Sequence, residues 1–462
     1  MKAVSKFAIA LALGALSVNA GTAMAAEESA KKEKPKKEKK AKKGKEADAN
    51  APLKLALSKE FTAAYQPVIN AYVKARGPDP APEATVTAAA TAAAPSWAAL
   101  KAAIMNEDDR YQAGVFGFQI GRELKNTAMQ VEAVDLVLAS TTTPAAMRPV
   151  YTYQRGAIAY EAKDWPTAET WMTKAYELGY KNTVTPGGIE MLLADVTNMQ
   201  NKFPESLAWM EKSLAASKVP GTQALPTNFY ARAANVALKS KDPALITRWM
   251  SERVRSNPTP DYWHDAIMQT YAAGKLDTQE ELDLMRLLRT VGGMKFEQNY
   301  SAYATDALIA FFPTEMKAVL EEGFAAGTIS KNNATFGGRY SDTIEKLKIE
   351  PFSVAVLDQD IASAKTGAQA AFAGDIALSV GEYARAKAAY EAAIAKGSIM
   401  DKDGNNLMER TIMRLGMAKL KLGDAAGARA EFAKVTSGGR KSVADYWALY
   451  AEMMEKGKAG AA

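Results

Sequence analysis

Few residues in this chain are placed to do chemistry, and most of them stand alone. The single histidine, His264, lies in Tyr262-Trp263-His264-Asp265, where the acidic neighbour makes an imidazole–carboxylate pair conceivable. Nothing completes it, because the 462 residues include no cysteine, no Gly-x-Ser-x-Gly elbow and no second imidazole to share a metal. We read His264 as a structural or surface residue. Paired carboxylates occur at Asp108-Asp109 and Glu321-Glu322, but adjacent helical residues point in different directions and make a poor acid/base couple. Gly337-Gly338 and Gly438-Gly439 lack the Gly-Lys-Ser/Thr of a phosphate-cradling loop and read as breaks. The sequence calls for no catalytic residue and no cofactor.

One loop has oxygen ligands at a suggestive spacing. In Asp401-Lys402-Asp403-Gly404-Asn405-Asn406 the side chains of Asp401, Asp403 and Asn405 occupy alternate positions, which resembles the opening of an EF-hand calcium loop. The departures are at the positions that close such a site: the sixth residue is Asn406 in place of Gly, and the twelfth is Ile412 where a bidentate Glu is needed. A cation there would be under-coordinated. A polar turn capping the next helix is the preferred reading, with calcium as the lesser alternative.

Stepping from loops to the elements that hold them, two copies of one pattern fill Gly367 to Thr436. The first has Gly374, then Gly381-Glu382-Tyr383, Ala386, Tyr390 and Ala393; the second has Gly416, Gly423-Asp424-Ala425, Ala428, Phe432 and Val435, 42 residues later. A glycine lets two helices approach, the Gly-acidic pair turns the chain, and a small residue followed four later by an aromatic sets a notch and a knob on one helix face. This arrangement resembles the tetratricopeptide repeat, extended by an eight-residue insertion. Weaker copies run through Gly156, Asp164-Trp165, Ala168, Met172 and Ala175, then Ala194, Lys202-Phe203, Ser206, Met210 and Ser213, and a degenerate one around Ala234, Asp242 and Met250. The resemblance implies an all-α solenoid of antiparallel hairpins that binds protein or peptide. The family's carboxylate clamp of Lys and Asn is absent from the matching places, which hold Tyr153, Gln154 and Ala157, then Ala371, Phe372 and Asp375, then Met413, Arg414 and Met417. Arg410, Arg414 and Lys421 form a weak basic stripe that reads as solvated, and the tryptophans Trp165, Trp171, Trp209, Trp249 and Trp263 read mostly as core.

Residues 1–25 read as a cleavable export signal: Lys2 and Lys6 lead, Phe7 to Val18 is apolar, and Ala23-Met24-Ala25 offers the cleavage site. The apolar run is shorter than the roughly 20 residues that span a bilayer, so the mature chain is expected to be periplasmic or secreted and not integral to the membrane. Lys31 to Lys45 holds ten lysines against Glu33 and Glu38, a composition that cannot build a core. Within a net charge of +6 this segment contributes +8, so the rest of the chain is nearly neutral. The tail is either a solvated spacer or a contact for an anionic surface; nucleic acid is not expected, since no aromatic residues interleave the lysines.

The expected organisation is therefore a disordered tail over 26–52, a helix divided or kinked at Pro67 plus a Pro/Ala-rich linker over 53–95, helical repeats over 96–350 with recognisable units at 149–257, and repeats with a capping helix over 351–462, recognisable at 367–440. Ser96 is the expected cap of the first body helix, and Gly327 to Arg339 the expected long loop or boundary. The function expected of such a chain is a non-enzymatic scaffold for an envelope protein or peptide. Alternatives are an envelope-polymer or membrane-surface adaptor held by the tail, and, further off, a peptidoglycan-processing enzyme or accessory.

Overall fold

The computed structural model describes residues 54–220, 224–273 and 276–457. The export signal and the lysine tail lie outside the described residues. Among those residues the regular structure is helical, with one isolated antiparallel bridge between Met400 and Asn406. The chain divides into two compact units, Met1–Thr227 and Asn228–Ala462, a division well before the 350/351 expected from the sequence.

The first unit contains α1 (Lys59–Arg76), α2 (Glu83–Ala93), α3 (Trp97–Ala102), α4 (Glu107–Glu123), α5 (Thr127–Ala139), α6 (Arg148–Glu161), α7 (Trp165–Glu177), α8 (Gly188–Met199) and α9 (Phe203–Ala216). Helix α1 starts at Ser58, whose hydroxyl accepts from Phe61 N. It runs unbroken through Pro67; burial of Phe61, Tyr65 and Tyr72 offsets the hydrogen bond that proline removes. The Tyr72 hydroxyl donates to Glu123 at 2.6 Å, fastening α1 to α4. The stretch read as a linker is helical over α2, because alanine has the highest helix propensity and its small face packs closely: Ala89, Ala90 and Ala93 are buried. Ser96 makes no capping hydrogen bond and ends a short 3-10 turn instead.

Three hairpins follow, α4/α5, α6/α7 and α8/α9, and all turn in the same way. Lys125, Lys163 and Asn201 take positive φ of 55°, 60° and 60°. The next backbone N–H then reaches five residues back, from Asn126 to Gly121 O (2.7 Å), Asp164 to Ala159 O (2.9 Å) and Lys202 to Thr197 O (3.0 Å), the Schellman closure of a helix. Asn126 and Asp164 also cap the following helix. Inside these hairpins a small residue faces a large one. A Cβ on Gly156 would come within 2.8 Å of Met172, and one on Gly114 within 2.6 Å of Val137. Ala168 and Ala175 are buried, and the buried Ser206 and Ser213 replace alanine by donating to Ala194 O (2.7 Å) and Gly187 O (2.8 Å).

The second unit contains α10 (Phe229–Ser240), α11 (Pro243–Ser256), α12 (Pro260–Ala272), α13 (Thr278–Thr290), α14 (Glu297–Ile309), α15 (Pro313–Ala325), α16 (Ala334–Ile349), α17 (Val354–Ser363), α18 (Gly367–Ser379), α19 (Tyr383–Ala395), α20 (Met408–Lys421), α21 (Ala425–Phe432) and α22 (Gly438–Glu455). Its α14/α15, α18/α19 and α20/α21 hairpins close on Phe311, Gly381 and Gly423 with φ of 62°, 82° and 87°. Gly374 faces the Tyr390 ring and Gly416 the Phe432 ring, where an added Cβ would sit 2.6 Å from ring carbon in each case. Ala386, Ala393 and Ala428 are buried around them.

Two expectations are corrected in this unit. The run Gly327 to Arg339 is neither a long loop nor a boundary: Asn333 caps α16 through Thr335 N at 2.9 Å, and Gly337-Gly338 lie inside that helix. The last helix does more than cover the final hairpin. Helix α22 packs on α21 and α20 and also on α11 and α13, with Trp447 and Tyr446 completely buried.

Candidate functional site

Helix α13 begins with a capping box, Asp277 accepting from Glu280 N at 2.8 Å while Glu280 accepts from Asp277 N at 3.1 Å. That start directs Asp283 and Arg286 inward. Asp283 is 0 % exposed and meets three arginines from three helices: Arg286 Nη1 at 2.8 Å, Arg414 Nε at 3.0 Å and Arg440 Nη1 at 3.4 Å. Its backbone carbonyl accepts from Trp447 Nε1 at 3.0 Å. Burial pushes the Asp283 carboxyl up, but the arginines outweigh it and hold the carboxyl below its ordinary range.

The network continues in both directions. Arg286 grips Glu315 with both Nε (2.7 Å) and Nη2 (2.6 Å), and Tyr303 donates to the same carboxylate at 2.8 Å. Against burial, Glu315 holds the Arg286 guanidinium well above its usual pKa. Arg414 Nη2 reaches Gln279 at 2.8 Å, and its Nη1 lies 2.9 Å from Asp375, which also receives Tyr390 at 2.8 Å and Arg410 at 3.2 Å. Burial, then the Asp375 charge, raises the Tyr390 phenol far above its normal value. Lys421 donates to Thr290 at 3.0 Å. Helices α13, α15, α18, α20 and α22 are thus joined through one cluster of ion pairs.

These contacts reassign several residues. Arg414 is completely buried and Arg410 largely so, facing α13 and α18, whereas Lys421 stays exposed, as the solvated reading expected. Burial lowers the pKa of Arg410. Asp375 and Arg414 stand where the clamp of the tetratricopeptide family would stand, and they bind this chain's own side chains. The Arg414 side of α20 is covered by α13. No local pattern announced this, since Asp283 and Arg414 are 131 residues apart.

A second buried acid lies nearby. Asp306 on α14 is 3 % exposed and its Oδ2 has no hydrogen-bond partner. Burial first, and the Glu281 charge second, push it up to about 7, while Tyr271 opposes the shift.

The other residues singled out in the sequence are separately engaged. His264 Nδ1 is 3.7 Å from Asp265, its Nε2 is 3.4 Å from Asn299, and its ring meets Phe296 edge-on. Asp108 accepts from Ala56 N at 2.6 Å, and Asp109 is buried beneath Ser58. Glu321 accepts from Tyr340 and Glu322 from Arg289, each at 2.7 Å. The Asp401 carboxylate accepts from Asp403 N, Asn405 N and Asn405 Nδ2 at 2.8–2.9 Å, closing its own loop, and among the described residues no group of three or more His, Cys, Asp or Glu could hold a metal ion. Trp249 and Trp263 are core, whereas Trp171 is half-buried between Arg155 and Lys174 and Trp209 lies 3.7 Å below the Lys212 ammonium.

No family model and no curated protein matches this chain. Among solved structures, a tetratricopeptide repeat protein from Parabacteroides merdae ATCC 43184 aligns at 10% identity over 74% of this chain and 99% of its own, with a TM-score of 0.26. Naa15/Naa10 bound to HypK-THB aligns at 11% identity over 83% of this chain and 64% of its own, with a TM-score of 0.27. The apo form of the quorum sensor NprR from B. thuringiensis aligns at 9% identity over 82% and 98%, with a TM-score of 0.21. Whole-chain superposition at such scores is poor, and the likeness rests on the repeated left-handed turn and on the packing of a small residue against a larger one, aromatic at Tyr390 and Phe432. By those features the described residues form an all-helical fold whose hairpins resemble tetratricopeptide repeats.

Proposed function

We propose that this protein is an exported, non-enzymatic scaffold that holds a protein or peptide partner in the bacterial cell envelope. The observation that carries the reading is the use to which the polar groups are put: among the described residues the ion-paired buried acids and bases hold helices together, and none converges on an open cleft with a nucleophile. Stacked helical hairpins offer extended surface in place of a reaction centre. The export signal supplies the compartment. A second reading has its own support in the charge distribution, with +8 concentrated in Lys31 to Lys45 of an otherwise near-neutral chain: an adaptor that attaches to anionic envelope polymer or lipid through that tail, at a strength salt would weaken.

Crosslinking in envelope fractions separates the two. The mature chain is compared with one lacking Ala26 to Asn50, and the captured species are identified. One specific protein recovered by both forms supports the scaffold. Lipid or glycan alone, recovered only with the tail present, would replace it with the adaptor.

A further inference from the structure

Arg414 of the C-terminal repeats is buried against Asp283 of α13, and other surfaces of the second unit stay open to a partner. The tip of the α14/α15 hairpin carries a bulky aromatic residue at its left-handed turn. Where Gly381 and Gly423 turn the later hairpins, this one has Phe311 at φ 62°, a backbone region that a bulky residue rarely enters. The fold could have used glycine there at lower cost. Phe311 instead projects its ring, 75 % exposed, beside Leu308 at 47 % and Ile309 at 54 %. Strain retained to display an apolar side chain is a pointer to binding.

Beside this tip lies a crevice of about 100 Å³ between the turn and α16, floored by Phe312 and Met316 and walled by Phe311. At ~30 Å³ per water it has room for one branched aliphatic group. The rim is cationic. Lys346 holds its ammonium 5.4 Å from the Phe311 ring centre, and Arg339 is fixed by Thr305 Oγ1 at 2.9 Å. Among the described residues neither cation has a carboxylate within ion-pairing distance, and Asp342 is the one acid lining the crevice. An apolar slot flanked by two cations that no carboxylate pairs among the described residues fits an aliphatic side chain whose neighbours are acidic.

We infer that the α14/α15 tip and α16 form a docking site for an acidic peptide segment that anchors one leucine-sized side chain between Phe311 and Lys346. The inference rests on the scaffold reading and adds the surface and the chemistry of its ligand.

The test is fluorescence anisotropy of the full mature chain with labelled nine-residue peptides carrying one central leucine flanked by aspartates, lysines or serines. The aspartate peptide should bind at least about tenfold more tightly than the others, with an affinity that falls as salt rises. Phe311→Gly should weaken it about tenfold while leaving the melting temperature unchanged or higher, because glycine accepts the positive φ. Lys346→Glu, an exposed change that cannot disturb the core, should lose the aspartate peptide and favour the lysine one. Equal binding of the three peptides, no binding of any, or undiminished binding by both variants would overturn the site. So would self-association of the chain, or attachment to phosphatidylglycerol vesicles, that Phe311→Gly abolishes. Repeating the envelope crosslinking with Phe311→Gly keeps the two readings apart: a partner retained by the variant removes this surface and leaves the scaffold standing, whereas no protein partner for any form removes the scaffold itself.

Discussion

Asp306→Asn should make the second unit more stable at neutral and alkaline pH than the parent, and the gain should vanish in acid. Asp306 is buried with one oxygen unpartnered and the Glu281 charge nearby, which raises its pKa in the folded chain from an ordinary 3.8 to about 7. A carboxyl that holds its proton more tightly when folded contributes stability that is fully present below the unfolded pKa and is lost as pH rises through the folded one. The window is therefore pH 4 to 7. A gap of three pH units, at about 1.4 kcal/mol each, amounts to ~4 kcal/mol over the full range. Between pH 5 and pH 8 the difference between variant and parent should grow by about 3 kcal/mol. Urea denaturation followed by tryptophan fluorescence reads this directly, provided the transition compared is the one that moves with the substitution, since two units need not unfold together. Glu281→Gln should give a smaller gain of the same sign by relieving the repulsion. A variant-to-parent difference equal at pH 5 and pH 8, or larger in acid, would refute the assignment of Asp306 as a buried, proton-holding carboxyl.

Other outcomes follow from the packing. Asp283→Asn leaves Arg286, Arg414 and Arg440 facing one another in the interior and should cost about 3–5 kcal/mol, seen as a lower urea midpoint; paired with Arg414→Met, the two losses should be strongly non-additive. Gly374→Ala places a methyl 2.6 Å from the Tyr390 ring and should cost about 1–3 kcal/mol, measured the same way. Lys163→Gly relieves a positive φ of 60° at an exposed turn and should stabilise the first unit by about 0.5–1 kcal/mol, raising its thermal midpoint.

What the sequence disclosed follows from how local each feature is. The hairpins at Gly374 to Ala393 and Gly416 to Val435 were legible because glycine stands both at the helix contact and at the left-handed turn. The α4/α5 and α14/α15 hairpins make the same turn with Lys125 and Phe311, so composition conceals them. Helix α2 was hidden by the prolines around it, which gave an alanine-rich helix the look of a linker. The expected export signal and lysine tail rest on composition alone and lie outside the described residues. The ion cluster had no local sign at all: a lysine-or-asparagine template identified positions 375 and 414 as groove sites, but not that the chain fills its own groove.

That self-filling changes how the second unit should fold. In a linear repeat array each hairpin leans only on its neighbours, so stability is a sum of adjacent terms and folding can begin anywhere. Here Asp283 is neutralised by residues 131 and 157 positions later. A chain emerging from the amino end must hold α13 with its charges unmatched until α20 and α22 arrive. Closure across so long a loop is slow, and once made it couples α13 to the last helix of the unit. The second unit should therefore melt as one cooperative body and tolerate no truncation from its carboxyl end, while the first, built of neighbour contacts, should shorten by whole hairpins.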